Sequence, residues 1–128
     1  MKPVSVIAAV PLLLALSASV QAQSACTYPQ APQKYPDGAS APKEDMLAGQ
    51  AAVKEYQKAV EETYLPCLEK EKADSIAQLD TADEGYAKKK ASLEDIHAKK
   101  HNAALDELTA VADRWKEEIT EYKARDQK

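Results

Sequence analysis

The sequence predicts an all-α protein: a long antiparallel helical hairpin, coiled-coil-like in its packing, with an extended Pro-rich N-terminal segment stapled to it by a disulfide. Three observations predict this fold. About half of residues 23–128 are Ala, Glu, Lys, Leu or Arg, which is typical of long helices. Apolar residues recur at helical spacing over two long stretches. Two cysteines fall in the same region. Disorder is the competing interpretation, because Leu, Ile, Val and Phe are few.

The first 22 residues have the pattern of a secretory signal peptide. Lys2 gives a positive start, residues 4–16 are apolar and uncharged, and Val20 and Ala22 are the residues that a signal peptidase would read. We therefore expect cleavage between Ala22 and Gln23 and a periplasmic or secreted protein. The apolar run is too short for a membrane span, so no stable membrane insertion is expected after cleavage. A retained N-terminal anchor is the alternative.

Residues 23–41 are predicted to be extended rather than helical. Each proline fixes φ and pushes the residue before it towards extended geometry. The Asp37-Gly38 pair predicts a turn within this segment. The prolines concerned are Pro29, Pro32 and Pro36, and Pro42 closes the segment.

The helical hairpin is predicted over 42–128, with its first helix at about 42–79. Pro42 in the first turn, followed by Glu44 and Asp45, favours a helix start. Pro66 inside the helix predicts a kink near 62–66, because proline lacks a backbone N–H and crowds the preceding turn. The apolar stripe repeats every seven residues at Met46, Val53, Val60 and Cys67.

The second helix is predicted at about 82–124, with a break over 80–85 before it. Thr81 and Glu84 fit a capping box at its start. Because long helices cannot bury their stripes alone, a short connection favours an antiparallel hairpin. The alternative is a single unbroken helix that buries its stripe by dimerising, so a homodimer is a second possible assembly. The stripe comprises Tyr86, Leu93, Ile96, Ala103, Leu108, Val111, Trp115, Ile119 and Tyr122.

Cys26 and Cys67 are predicted to form a disulfide, since export implies an oxidising compartment. A helix from Pro42 to Cys67 rises roughly 38 Å at about 1.5 Å per residue. An extended chain from Cys26 to Pro42 reaches roughly 50 Å at about 3.1 Å per residue. The N-terminal segment is thus long enough to run back along the first helix. Free thiols, a redox pair and a lipid-modified Cys26 are the alternatives.

A set of motifs recurs at defined spacing over about residues 26–69. It consists of Cys26-x-x-Pro29, Pro32, Pro36-Asp37-Gly38, Met46, Val53-Lys54-x-Tyr56 and Tyr64-Leu65-x-Cys67-Leu68-Glu69. This pattern resembles a family of small secreted proteobacterial helical proteins with no known activity. The resemblance implies a bacterial periplasm and a cysteine pair, and it implies no chemistry.

The sharpest chemical candidate is one helix face that carries Glu94, His97 and His101. Glu-x-x-His and a histidine pair four residues apart are spacings used by metal sites in helices. A di-iron site would need a second Glu-x-x-His, which the sequence lacks, and Lys99 and Lys100 oppose a cation. We therefore expect no resident metal or other cofactor, and weak metal binding at most.

Composition and missing motifs narrow the class of function. The formal charge of −4 argues against a nucleic-acid partner. The sequence has no Gly-x-Ser-x-Gly elbow and no phosphate-binding glycine loop, so we expect no enzyme and no catalytic residues. The run Lys88–Lys90 is expected to face Glu69, Glu71 and Asp74. The sequence thus favours an interaction or envelope-structural protein that holds unfolded or envelope proteins in an exposed groove, its partner unidentified. Metal binding by Glu94, His97 and His101 is the alternative function.

Overall fold

The computed structural model describes residues 24–125, and within that range the fold is all-α, as predicted, with no strand. The predicted signal peptide and its cleavage site lie outside the described residues. Helix α1 spans Lys43–Lys58, a π-helical segment spans Ala59–Tyr64, α2 spans Leu65–Ala77, and α3 spans Tyr86–Arg125. The first three elements follow one another without a break and form one helical stretch.

Helix α1 begins where Pro42 ends the extended segment. Pro42 has an extended backbone, with φ −68° and ψ 161°, and its carbonyl accepts the first helical hydrogen bonds from the amides of Asp45 and Met46. Glu44 and Asp45 lie in the first turn, where the positive end of the helix dipole favours carboxylates.

The kink expected near Pro66 takes the form of the π-helical segment that directly precedes it. The amide of Leu65 bonds to the carbonyl of Val60, five residues back. Proline has no N–H for the carbonyl four residues before it and would crowd that carbonyl in an α-helix, and a wider turn relieves both problems. The extra residue also shifts the buried stripe. Leu68 is 1% exposed, whereas Cys67, where the seven-residue repeat pointed, is only half-buried.

Helix α3 starts at Tyr86, later than position 82, because aspartate side chains hold the connection in a turn. Asp80 Oδ1 accepts a hydrogen bond from the amide of Ala82 at 2.9 Å, and Asp83 Oδ1 accepts one from the amide of Gly85 at 2.6 Å. Lys89 Nζ lies 2.6 Å from Asp83 Oδ2 and closes the turn onto α3. These aspartates occupy the role that the capping box of Thr81 and Glu84 was expected to fill.

The inward stripe of α3 departs from the expected one at two positions. Ile96 is 47% exposed and Ala103 is exposed as well, whereas Ala104 is fully buried and His97 and Lys100 are half-buried. The inward residues are spaced by three or four, and Ile96 and Ala103 each lie one residue before an inward position. Position along the helix, rather than polarity, therefore decides which side chains face inward here. From Tyr86 onward the inward stripe runs through residues 90, 93, 97, 100, 104, 108, 111, 115, 118 and 122.

The core lies between the first helical stretch and α3, whose contacts run in opposite order. Met46, early in α1, clusters with Trp115, late in α3. Glu71 in α2 contacts Lys100, in the first half of α3. Between these ends the core consists of Tyr56, Val60, Tyr64, Leu68, Ala104 and Val111.

The N-terminal segment is extended and is joined to α2 by the predicted disulfide. Cys26 and Cys67 are bonded, with their Cα atoms 5.7 Å apart. Further along, the ring of Tyr28 meets the ring of Tyr64 edge-on, at 4.9 Å between centroids. The Tyr28 hydroxyl donates a hydrogen bond to the carboxylate of Glu107. Burial and this bond raise the pKa of Tyr28 above its ordinary value. The segment thus packs on both helical stretches.

Candidate interaction surface

An open groove of about 600 Å³ lies between the start of the N-terminal segment, α2 and α3. We call it the disulfide groove. Its apolar part comprises Leu93, Ile96 and the Cys26–Cys67 disulfide, and the side chain of Ile96 is 47% exposed. The other lining residues are Ser24, Ala25, Lys70, Glu71, Asp74, Ser75 and Lys100. The groove therefore offers an apolar floor with charges of both signs around it.

Glu71 organises one side of the disulfide groove. One carboxylate oxygen accepts from Lys100 Nζ at 2.8 Å. The other accepts from Ser24 Oγ at 2.6 Å and from the amide of Ala25 at 3.0 Å. The hydrogen bond from Lys100, then that from Ser24, lowers the pKa of Glu71. A single carboxylate thus joins the N-terminal segment, α2 and α3 beside the groove.

The structure does not bring Glu94 to the two histidines. Glu94 Oε1 lies 3.6 Å from Lys90 Nζ on the same helix. The rings of His97 and His101 are neighbours, with centroids 5.9 Å apart and planes tilted by 35°. The carboxylate beside His97 comes from α2 instead: Glu69 Oε1 lies 3.0 Å from His97 Nε2.

The contact between Glu69 and His97 is close but not aligned as a hydrogen bond. His97 has a side chain only 12% exposed, and its buried Nε2 has no hydrogen-bond partner among the described residues. Glu69 is also held by Lys72, whose Nζ lies 2.7 Å from Oε2. The bond from Lys72 is the main reason that the pKa of Glu69 is lowered, with His97 contributing. A metal ion on Oε1 would share this carboxylate with Lys72, whose positive charge opposes a cation there.

A second carboxylate cluster joins residues that are distant in the sequence. Asp37, Glu118 and Glu121 place carboxylate oxygens within 4.8 Å of one another, the one grouping of possible metal ligands found over residues 24–125. Glu118 is 4% exposed, accepts from the amide of Gly38 at 2.8 Å and pairs with Arg114. Asp37 accepts from the amide of Ala39 and the hydroxyl of Ser40, which lower its pKa.

This cluster therefore fixes the turn at 37–41 on α3, and its hydrogen bonds explain it without a ligand. No sequence pattern indicates this cluster directly, because the partners lie 80 residues apart. The one available signal was Gly38, a small residue where two backbones could approach closely.

The lysine run of α3 does not face the acids of α2. Lys89 pairs with Asp83, and Lys90 with Glu94. Lys100 and His97 are the groups that meet Glu71 and Glu69. The expected charge matching between the helices thus exists, but about two to three helical turns further along α3. The late start of α3 contributes to this register.

A further exposed surface lies on the outer side of α1. Leu47 is 55% exposed, the most exposed of the large apolar side chains over residues 24–125. It adjoins a shallow groove of about 290 Å³ between α1 and α3, lined also by Met46, Trp115, Ile119 and Tyr122. We call the surface formed by Lys43, Glu44, Leu47, Ala48, Ala51, Lys54 and Glu55 the α1 face.

Comparison with known proteins finds no matching family model, no similar curated protein and no similar solved structure. Over the described range of 24–125, no helix is both long and apolar enough to cross a membrane. The geometry of the two surfaces is thus the basis for a functional proposal.

Proposed function

We propose that this protein is a non-enzymatic interaction protein of the bacterial periplasm that holds extended segments of unfolded or envelope proteins in the disulfide groove. One observation carries the proposal. Ile96, on the outside of the inward stripe, is 47% exposed beside Leu93 and the disulfide. Such a combination of an open groove and an exposed apolar floor is typical of surfaces that bind other chains.

The chemistry of the groove fits an extended polypeptide better than a small ligand. Small-ligand sites are enclosed and bury most of the ligand, whereas this groove is only partly enclosed. Apolar side chains of a client would cover Leu93 and Ile96. Lys70 and Asp74 on the rim can exchange their exposed ion pair, which lies between side chains more than half exposed, for contacts with the client.

The scaffold of this proposal is an antiparallel helical hairpin with coiled-coil-like packing. The opposite order of contacts along the two helical stretches and the short connection 78–85 support the hairpin. The alternation of three and four along α3 supports the packing, because that spacing keeps one seam facing a partner helix.

The test is binding of a permanently unfolded, carboxymethylated protein, measured by fluorescence anisotropy with the disulfide intact. We expect saturable binding and at least a tenfold loss of affinity in Ile96→Lys. The matched control is Leu105→Lys, which introduces the same charge at another exposed site of α3, 39% exposed and outside the groove. The absence of binding by the unsubstituted protein, or an equal loss in both variants, would contradict the proposal.

Metal binding is the second candidate function, and one observation favours it. The buried His97 Nε2 has a carboxylate oxygen of Glu69 at 3.0 Å and no aligned hydrogen bond. A ligand set on this basis would be Glu69, His97 and His101 rather than the set with Glu94. Imidazole and carboxylate together suit Zn²⁺.

A further inference from the structure

The N-terminal segment lies on the helices in the way that a bound peptide lies in a groove. Over residues 24–36, no backbone group forms a hydrogen bond with another backbone group of the described chain, and none of these residues is buried. The core cluster beneath the segment is buried, and all its buried residues belong to the helices. The segment is therefore held by its side chains and its disulfide, on helices that bury their core against each other.

Two tyrosines of the segment make its most specific contacts. The ring of Tyr28 meets the ring of Tyr64 edge-on. The Tyr28 hydroxyl lies 3.3 Å from the hydroxyl of Tyr56 and donates a hydrogen bond to Glu107 on α3. Seven residues later, Tyr35 packs against both core clusters. The tyrosines thus fix the segment over the line where the two helical stretches meet.

The prolines of the segment pack beside small residues of α1. Pro29 and Pro32 line a shallow cleft together with Ala52. A Cβ at Gly49 would lie 2.8 Å from Cδ of Pro36, so the absence of a side chain there makes room for the proline ring. Recognition of extended, proline-containing segments in aromatic-lined grooves is a recurrent mode of peptide binding. We call the surface beneath residues 27–36 the strap furrow, and it comprises Gly49, Ala52, Tyr56, Ala59, Tyr64 and Glu107.

The disulfide groove and the strap furrow meet at Cys26, which lines the groove and directly precedes the part of the segment that fills the furrow. We propose that the strap furrow is a second binding site for extended polypeptides, that residues 27–36 fill it in cis, and that the disulfide decides whether this segment or a client occupies it. This inference rests on the proposed function and adds the regulation and the client class of that function.

The segment itself shows which chemistry the strap furrow recognises. It carries tyrosines seven residues apart with prolines between and after them, and Lys34 is the one charged residue of 27–36. Glu107 accepts the hydrogen bond from Tyr28, and Glu55 lines the cleft beside the prolines. Both carboxylates repel acidic side chains. The clients are therefore extended segments that contain tyrosine and proline and are neutral or basic.

Release of the segment requires a dithiol reductant, which reaches the disulfide because the disulfide lines an open groove. One thiolate of the reductant attacks one sulfur, which forms a mixed disulfide and releases the other cysteine as a thiolate. The second thiolate of the reductant attacks the mixed disulfide, so the reductant leaves as a disulfide. Cys26 and Cys67 take up the two protons that the reductant loses. On the chain-entropy model, opening this loop across 41 positions weakens the hold of the segment roughly a thousandfold.

The experiment uses a fluorescein-labelled peptide of residues 27–36, which contains no cysteine, as the probe. Its binding is measured by fluorescence anisotropy to the full exported chain, and the double variant Cys26→Ser/Cys67→Ser represents the reduced state. We expect the double variant to bind the probe at least tenfold more tightly than the disulfide-bonded protein. A peptide of the same composition in scrambled order should bind neither form. Because the probe binds the folded protein, it should also raise the melting temperature of the double variant.

Tyr28→Ala should have opposite effects in the chain and in the probe, because the segment and the probe compete for the same contacts. Introduced into the double variant, it weakens the hold of the segment and should raise the affinity for the unchanged probe. Introduced into the probe, it removes the contacts with Tyr64 and Glu107 and should lower the affinity at least tenfold. Thr27→Val, at an exposed position of the same segment, is the matched control and should change neither affinity.

A carboxymethylated unfolded protein should also bind the double variant more tightly than the disulfide-bonded protein, and excess 27–36 peptide should remove this gain. Ile96→Lys alters the disulfide groove and not the strap furrow, so binding of the probe should be unchanged in that variant. If the disulfide-bonded protein binds no unfolded client, the proposed function fails, while the probe still decides this inference.

Equal binding of the probe by both forms overturns the proposal. So does an effect of Tyr28→Ala that has the same sign in the chain and in the probe. Circular dichroism gives the helicity of each variant. A double variant that loses its helicity and does not regain it with the probe also overturns the proposal, because the strap furrow must then depend on its own segment.

Discussion

Gly38 shows how a single small residue fixes the N-terminal segment on α3. Over residues 24–125 no glycine has a positive φ, so the need for glycine here is not a backbone conformation. It is space: a Cβ at Gly38 would lie 1.9 Å from the backbone carbonyl oxygen of Glu118. The same approach lets the amide of Gly38 donate to the buried carboxylate of Glu118.

Gly38→Ala should therefore destabilise the protein by about 1–3 kcal/mol, the usual cost of forcing extra atoms into a packed contact. The clashing atom belongs to the helix backbone and cannot turn aside. Urea denaturation followed by circular dichroism gives the free energy of unfolding. Gly85→Ala is the control, because the nearest atom there is a side-chain oxygen of Asp83 at 3.0 Å, which needs to move by only a few tenths of an ångström. Equal effects at both positions would contradict this explanation.

At His97, we predict that divalent metals bind no more tightly than to ordinary surface histidines. Glu69 is occupied by Lys72, Glu94 by Lys90, and Lys100 adds further positive charge nearby. Calorimetric titration with Zn²⁺ and Cu²⁺ should show no site with a Kd below about 1 μM, which corresponds to roughly −8 kcal/mol. A tighter site that disappears in His97→Ala would refute the prediction and favour the metal-binding alternative.

At the scale of the elements, composition and periodicity predicted the all-α fold, and the cysteine count with the reach of the chain predicted the disulfide. Neither predicted the register of the helices. Pro66 predicted that the α-helix is interrupted but not how, since a kink and a π-helical turn both accommodate a missing N–H. The inserted residue moved the stripe from Cys67 to Leu68, which a seven-residue repeat cannot anticipate.

The same limit applies on α3, where hydrophobicity selected Ile96 although His97 faces inward. His97 contacts Glu69 of the other helical stretch. A partner across the fold decides such a position, and single-chain periodicity contains no information about that partner. The disulfide groove was missed for the same reason, because it exists only once Ile96 points outward beside the disulfide.

The N-terminal segment should lose its order when its disulfide is reduced. The bond closes a loop between residues 41 positions apart. On the chain-entropy model such a loop stabilises by about 4 kcal/mol, a large share of the stability of a small domain. Reduction should lower the melting temperature and release residues 26–41 to fast amide exchange, while α3 keeps more of its protection.

Peptide mapping without reductant should show the crosslink between Cys26 and Cys67 within one chain, and Cys26→Ser/Cys67→Ser is the matched variant for the reduced state. The remaining anchors of the segment include Ser24 and Ala25 on Glu71, Tyr28 on Glu107, Gly38 on Glu118 and the carbonyl of Ala41 on Arg125. Unchanged melting after reduction would mean that these hydrogen bonds alone hold the segment.

Considered as a whole, the molecule uses some charged side chains to connect separate parts of the chain and others only along one helix. Around α2 and α3, carboxylates pair internally and tie three parts of the chain together, as Glu71 does. Charges on the outer sides of the helices pair mainly with a neighbour along the same helical stretch, as Lys58 does with Glu62 and Lys99 with Asp95. The charges that connect separate parts of the chain are therefore the few that meet another helix or the N-terminal segment.

The whole chain should be exported and cleaved between Ala22 and Gln23. Such a cut removes the apolar start and leaves intact the first described anchor, in which Ser24 and Ala25 donate hydrogen bonds to Glu71. The disulfide also opposes a lipid on Cys26, because its sulfur is bonded to Cys67. The intact mass of the periplasmic protein decides the matter and should correspond to a chain that starts at Gln23. Ala22→Tyr, which places a bulky residue before the cut, should retain the leader. A mass that includes residues 1–22 in the unsubstituted protein, or a lipid on Cys26, would show that the chain is anchored instead.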